Sequence, residues 1–395
     1  MDAFFRTHAY LVEHMDAPVR RELMNEINWH DRLIGIKGTR GVGKTTFLLQ
    51  YAKEYCNVKD RKCLYVNMNN FYFQGRSFSD FAGEFYRKGG RRLLIDQVFK
   101  HPDWSSELRK CYEQYPQLRI VFTGSSVMRL KEENPELNGI VKSYNLRGFS
   151  FREYLNLKTS NNFKPFTLND ILKNHERYAR DIVGKVDLGL HFTDYVHHGF
   201  YPFFLEKRNY SENLLQTMNM MIEVDILLIK QIELKYLSKI KKLFYLLAQN
   251  GIQPLNISTL AKEIETSRAT VMNYIKYLAD ARLINIIYEV GEDFPKKPAS
   301  VMMHNSNLMY AIYPLKFEQQ TLMETFFVNT LWKDHVVNAG HKNGYYIVDT
   351  DKTFKVHGTE TIKRTHNRNN VIHIKHDLEI GKDNQIPLWL FGFLH

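Results

Sequence analysis

The residues best equipped to do chemistry lie together in GTRGVGKTT at 38–46. Gly38, four residues, then Gly43, Lys44 and Thr45 match the spacing of a phosphate-binding P-loop. Glycines let successive backbone N–H groups turn toward a phosphate without a Cβ in the way. A helix starting directly afterwards adds its positive end. Lys44 offers a mobile cation to the β- and γ-phosphates, and Thr45 offers a hydroxyl to magnesium. The candidate nucleotide-binding residues are Gly38, Thr39, Arg40, Gly41, Val42, Gly43, Lys44, Thr45 and Thr46, with ATP or ADP as ligand. A glycine-rich turn that matches by coincidence is the competing reading.

Such a loop needs a second oxygen ligand for the ion. Asp96 closes the apolar run RLLID, whose burial would present the carboxylate at a strand end. Thr45 and Asp96 are therefore the candidate Mg2+ ligands. RIVFTGSS at 119–126 ends in small hydroxyl residues, and Thr123 or Ser125 is a candidate for the γ-phosphate or its attacking water. A strand-end turn for Asp96 and helix capping for the hydroxyls are the structural alternatives.

The elements that must hold these groups follow from periodicity. Apolar runs at 33–37, 63–68, 92–96 and 119–124 read as buried strands, with a fifth at 142–146. Helical patterns at 79–88 and 104–115 fall between them. Strands alternating with helices predict an α/β fold: a parallel sheet with helices on both faces. After about residue 150 the pattern turns helical, through 151–157, a segment around 169–190, and 214–237. Residues 258–264 and 268–280 read as two helices about a turn at Thr266–Ser267, with Ser267 as the second helix's cap and alternating apolar residues beyond. A linker is expected at 292–300, then a helix over 322–340 and strands in GYYIVD, TFKVHG and NVIHIKH, an α+β module.

The chain has 395 residues, 44% hydrophobic and 25% charged, which fits a multidomain globular protein and not a disordered one. Its 54 Lys and Arg against 43 Asp and Glu give a formal charge of +11, favouring polyanionic partners. Cys56, Cys63 and Cys111 are an odd number in no metal-ligand spacing. The first residues lack the apolar core of a leader, and no apolar run is long enough to span a bilayer, so the expected setting is cytoplasmic with no membrane partner.

GTRGVGKTTFLLQY, LLIDQVFKHPDWSSELRKCYEQYPQLRIVFTGSS and GFSFREYL together resemble the prokaryotic AAA-type P-loop ATPases that carry a helix-turn-helix and a C-terminal restriction-endonuclease-like domain. HHGFYPFF (197–204) and the closing IPLWLFGFL add weaker likeness. The resemblance implies ATP, Mg2+ and four parts: an ATPase domain at 1–150, a helical lid or connector at 151–245, a winged helix-turn-helix at 246–295, and an α+β endonuclease-like domain at 296–395. It also implies sites completed between subunits of an oligomer.

Departures from that family bear on activity. Relatives place Glu after the Walker B Asp, where it polarises the attacking water; this chain has Gln97. An amide can position water but cannot take its proton, so general-base help, typically ~10²–10⁴ in rate, should be lost or much reduced. The catalytic set is thus Lys44, Asp96, Gln97 and Ser125, with hydrolysis slow or impaired. Gly139 and Ile140 stand where relatives show paired arginines, removing a candidate for transition-state charge stabilisation. Arg129, Arg147 and Arg152 are substitutes, with surface salt bridges as the simpler reading.

Relatives' nuclease domains carry an acid and then Glu-x-x-x-Lys; here Asp349 or Asp351 supplies the first acid, but Lys355 and Thr359 occupy the other positions. Glu324 and Lys375 are displaced partners to consider, and a worn structural or binding domain is the expectation. Two elements are candidates for DNA or another polyanion. The second helix of the helix-turn-helix offers Arg268, Thr270, Asn273 and Lys276, though 256–282 holds four Lys and Arg against three acids. The strip 351–376 holds six Lys and Arg and four His against two acids. His197 and His198 have no metal-site context and read as loop residues. The second function class is thus a DNA- or protein-binding regulator whose P-loop domain is mainly a scaffold.

Overall fold

The apolar runs of the first hundred and fifty residues form strands in the computed structural model, which describes residues 1–128, 130, 134–206, 209–313, 318–358 and 371–395. They are β1 (Leu33–Gly38), β2 (Cys63–Asn67), β3 (Arg92–Asp96), β4 (Arg119–Ser125) and β5 (Lys142–Asn145). All pairings are parallel, in the order β2-β3-β4-β1-β5. A helix, α1 (Asp2–Glu13), precedes β1; parallel strands need crossovers, here α2 (Lys44–Tyr55), α3 (Phe78–Arg87) and α4 (Trp104–Gln114). Leu64, Val66, Leu94, Ile95, Val121 and Phe122 are almost wholly buried, each worth about 1.5–3 kcal/mol relative to exposure.

Because the strands are parallel, their ends collect chemically distinct residues. Gly38 is in register with Ser125, and Asn67 with Asp96, at the C-terminal edge. β2 is an outer strand, and its outward Tyr65 N–H donates to His8 Nδ1 of α1 at 3.2 Å. That contact satisfies an edge amide that would otherwise be open.

The chain divides into two compact units, Met1–Gly148 and Phe149–His395. The second opens with α5 (Phe151–Thr159) and α6 (Leu168–Val183), each started by a capping box, Ser150 with Glu153 and Thr167 with Asp170. α7 (Leu188–His198) carries His197 and His198 as its final residues, which corrects their reading as loop residues. α8 (Tyr210–Met220) runs on through a π-helical segment, Met221–Ile226, and stops after Ile229, with Gln231 left-handed at φ 51°. The helical reading of 214–237 therefore breaks here, and a separate helix, α9 (Leu237–Asn250), follows.

α10 (Ile257–Glu263) and α11 (Arg268–Asp280) flank the expected turn, and Ser267 Oγ accepts from Thr270 N at 3.1 Å as the cap. β6 (Ile284–Ile287) then pairs antiparallel with β7 (Ser300–Met303). Residues 292–299, which read as a linker, lie in the loop between these paired strands. α12 (Ser306–Ile312) and α13 (Gln319–Leu331) lead to a sheet of β8 (Val337–Ala339), β9 (Tyr345–Val348), β10 (Lys352–His357), β11 (Val371–Lys375) and β12 (Gln385–Pro387). β8, β9 and β10 are antiparallel neighbours, while β11 and β12 continue the sheet in parallel. The helix predicted over 322–340 ends at Leu331 because Val337–Ala339 pairs with Tyr346–Val348 instead. No helix among the described residues is long and apolar enough to cross a membrane.

Candidate nucleotide site

β1 delivers the chain to Gly38, and α2 begins at Lys44. A Cβ on Gly38 would press into the Leu146 carbonyl oxygen, so only glycine fits that approach. Gly43 has φ 92°, a left-handed conformation that an L side chain strains to adopt. These glycines let the 38–45 loop fold tightly over the start of α2, whose first N–H groups have no intrahelical acceptor. Lys44 Nζ reaches back across the loop to the Gly38 and Thr39 carbonyls, at 2.8 and 2.7 Å. Its charge is thus held inside the loop, in the position a phosphate-binding cation needs. Arg21, from ahead of β1, donates to the Val42 carbonyl at 3.3 Å and to the Arg147 and Gly148 carbonyls at 2.8 and 2.9 Å.

Asp96 is 1% exposed and collects donors from three elements. Its Oδ2 accepts from Thr45 Oγ1 at 2.7 Å, Tyr65 OH at 2.9 Å and Asn67 Nδ2 at 3.2 Å; its Oδ1 accepts from Thr123 Oγ1. A hydroxyl and a carboxylate that already meet make an oxygen donor set suited to a hard divalent ion that keeps several waters, as Mg2+ does. Burial, and then the neighbouring Asp96 charge, pushes the Tyr65 phenol far up, so it stays a donor.

Gln97 is left-handed at φ 55°, an uncommon conformation for a residue with a side chain. Its backbone N–H donates to Thr123 Oγ1 at 2.9 Å. Thr123 therefore links Asp96 and Gln97, which sharpens the choice between the two hydroxyls of β4. Ser125, 2% exposed, accepts from Val127 N at 3.3 Å in the turn that follows β4, where no helix among the described residues starts for it to cap.

Sequence reasoning named every part of this cluster except Tyr65, Asn67, Arg21 and His8. Tyr65 and Asn67 alternate by two along β2, so they share a face; that was the one local signal. Among the arginines weighed as substitutes, Arg129 lies outside the described residues. Arg152 is buried and donates to the backbone oxygens of His395 and Phe163 at 2.6 and 3.1 Å, so it is not the surface residue expected.

In the last sheet the acids read for a nuclease stand apart. Asp349 sits at the β9–β10 turn, where Oδ2 meets His335 Nδ1 at 2.7 Å and Oδ1 accepts from Val336 N at 3.1 Å. Glu324 lies near Tyr346 and Gln320, which both donate to it, and burial raises its pKa. Glu324 and Asp349 thus take different partners, Glu324 on Tyr346 and Gln320 and Asp349 on His335 and the Val336 N–H. Asp351 is exposed beside Lys352, and Lys375 is buried. Thr359, and 359–370 of the basic strip, lie outside the described residues. No group of three or more His, Cys, Asp or Glu among the described residues is arranged to hold a metal ion.

Comparison with known proteins places the site in context. Residues 30–155 match a family model described as an AAA domain. Residues 189–302 match a model described as a domain of unknown function. An uncharacterized protein of Methanocaldococcus jannaschii, MJ1637, is 27% identical over 292 residues, 70% of this chain and 61% of its own length. The chain thus spans under two thirds of that relative. Among solved structures, a point variant of RuvB from Thermotoga maritima aligns at 14% identity and a TM-score of 0.28, covering 76% of this chain and 91% of that one. PCH-2 of C. elegans aligns at 15% identity and a TM-score of 0.23, covering 71% and 66%. The matched region contains β1 to β5 and the P-loop, and it has the fold of an AAA-type P-loop ATPase domain, a fold that supports nucleotide binding.

Proposed function

We propose that the first unit binds Mg-ATP and hydrolyses it slowly, and that nucleotide state governs what the second unit does. The observation that carries this reading is the meeting of the P-loop hydroxyl of Thr45 with the strand-end carboxylate of Asp96. Lys44 and the loop amides would hold the phosphates, and Thr45 and Asp96 would hold the magnesium ion, which neutralises phosphate charge when bound. Gln97 follows Asp96, and its backbone N–H is held by Thr123. Its amide can align a water but cannot take the proton, so chemistry lacks a general base. ADP release and ATP binding remain open to such a site.

A direct test compares single-turnover ATP hydrolysis in the parent and Gln97→Glu. The proposal expects ATP to bind both equally and to turn over faster in the variant. Undetectable binding of Mg-ATP to the parent would overturn it.

The finer partition of the second unit is part of the proposal: a helical connector to about 245, a winged helix-turn-helix to about 295, then an endonuclease-like module without cleavage activity. The ordered helix–turn–helix and the β6–β7 pair support the middle assignment. The commitment of Asp349 and Glu324 to different partners supports the absence of cleavage.

A second reading, a DNA-binding regulator with the P-loop unit as scaffold, is favoured by one observation. Arg268 and Asn273 are exposed on α11, with Thr270 half-buried beside them. Lys276, by contrast, lies over the Phe294 ring at 4.6 Å and is partly committed there. Duplex-DNA binding that weakens with salt and ignores ATP would favour this reading.

A further inference from the structure

The opposite edge of the first unit's sheet holds a second charged cavity that nucleotide binding leaves unused. Four strands begin there, each with a cation: Arg32 before β1, Lys62 before β2, Arg91 and Arg92 at β3, and Arg119 at β4. Register sets them side by side. Arg92 pairs with Arg119, and since Leu33 pairs with Ile120, Arg32 comes next to Arg119 on the other side. Lys62 likewise precedes the Cys63–Arg92 pair and falls beside Arg91. Like charges directly opposite on neighbouring strands destabilise a sheet. Among the described residues none of the five makes a salt bridge, and Asp60 is the one acid lining the cavity of about 560 Å³.

A structural explanation covers part of this surplus. α2 and α4 end at this edge, and Arg32 Nη2 donates to the Tyr112 and Tyr115 carbonyls at 2.6 and 3.4 Å. Arg91 donates to the Gly90 carbonyl at 2.8 Å. Each helix end is equivalent to about half a negative charge, so two ends and Asp60 offset about two of the five positive charges. About three remain. Arg32 Nε is buried with no acceptor, and the side chains of Lys62 and Arg119 make no hydrogen bond among the described residues.

We propose that this strand-start cavity is a second binding site, taking a small molecule that carries two or more phosphate groups. The volume falls within the ~300–1,000 Å³ of small-ligand pockets and is too small for a duplex. β1 spans six residues at about 3.3 Å each, so the cavity and the P-loop lie roughly 20 Å apart. One nucleotide cannot occupy both.

Cys56 provides a reporter inside the cavity. It is half-buried, whereas Cys63 and Cys111 are buried, and Arg92 Nη1 lies 3.8 Å from its sulfur. A hydrogen bond from the Cys63 thiol, and then the Arg92 guanidinium, bring the Cys56 thiol down to about 7 against its burial. It should therefore react with iodoacetamide near neutral pH.

The test uses the full chain with Lys44→Ala, which removes the P-loop's contribution. Cys56 alkylation is followed against inorganic tripolyphosphate, and separately against ADP, with NaCl at matched ionic strength. Saturable slowing of at least tenfold is expected. The pair Lys62→Gln and Arg119→Gln should weaken protection at least tenfold, while in a Lys44-intact background it leaves ATP binding unchanged. Protection by tripolyphosphate alone identifies an inorganic polyphosphate; equal protection by ADP identifies a phosphoester, and both uphold the site. No saturable slowing by either, or slowing that the double substitution leaves unaltered, overturns the proposal. Intact circular dichroism of each variant ensures that the readout reports the cavity.

Discussion

Thr45 Oγ1 donates a 2.7 Å hydrogen bond to Asp96 Oδ2 across 51 residues of sequence. The two strands that lead to these residues are not neighbours: β4 runs between β1 and β3. Thr123 of β4 donates to the other Asp96 oxygen, so the intervening strand braces the pair instead of separating it. Tyr65 and Asn67 complete the ring of donors from the far side.

That ring makes Asp96→Asn informative. An amide must present its NH2 group to some of the four donors, leaving buried donor facing donor, a cost of about 1–3 kcal/mol. Thermal melts should show a loss of roughly 2–4 °C per kcal/mol. In titrations the variant's ATP binding should no longer respond to Mg2+.

Gln97→Glu restores a carboxylate beside Asp96. Turnover should rise at least ~10-fold, and at most by the ~10²–10⁴ that a positioned general base supplies. An unchanged rate would shift the deficiency to Gly139 and Ile140, where the family resemblance leads one to expect an arginine pair.

Acid should loosen the same unit through His8. Burial lowers its pKa from 6.5 to about 4, and its Nδ1 accepts from Tyr65 N, so the folded state needs the neutral ring. The unfolded chain binds the proton first as pH falls. Stability is therefore full above about 6.5 and declines toward 4, by on the order of 3 kcal/mol if the shift is fully expressed. Urea melts at pH 7.5 and 4.5 should differ less in His8→Gln than in the parent; equal differences would remove His8 from the account.

In the second unit, Ser267→Ala removes the cap of α11. The loss should be about 1 kcal/mol, read by denaturant melts. ATP affinity should be unaffected, since the change lies outside the nucleotide site.

Much of the first unit was legible because its signals are local. Runs such as LIGI (33–36) and LLI (93–95) are apolar throughout, as strands buried on both faces must be. The P-loop is written in consecutive residues, and Asp96 is marked by its place at a strand end. Tyr65 and Asn67 were not legible, because their partnership with Asp96 depends on the register of β2 against β3, a pairing distant in sequence. The second unit misled where apolar residues outlast the helix. Val336 and Val337 continue a helical spacing beyond Leu331, yet Val337 is taken by β9. Gln231 likewise breaks an apolar helical pattern that nothing in its type forbids. The basic edge of the first sheet is illegible in sequence for the same reason as Tyr65: Arg32, Arg92 and Arg119 are scattered along the chain and meet only through strand register.

The central claim is that the 38–45 loop binds Mg-ATP through Lys44. Isothermal titration of Mg-ATP into the parent and into Lys44→Ala tests it most directly. The account predicts saturable binding in the parent and at least a tenfold weaker affinity in the variant, with both equally folded by circular dichroism. Equal affinities would contradict it.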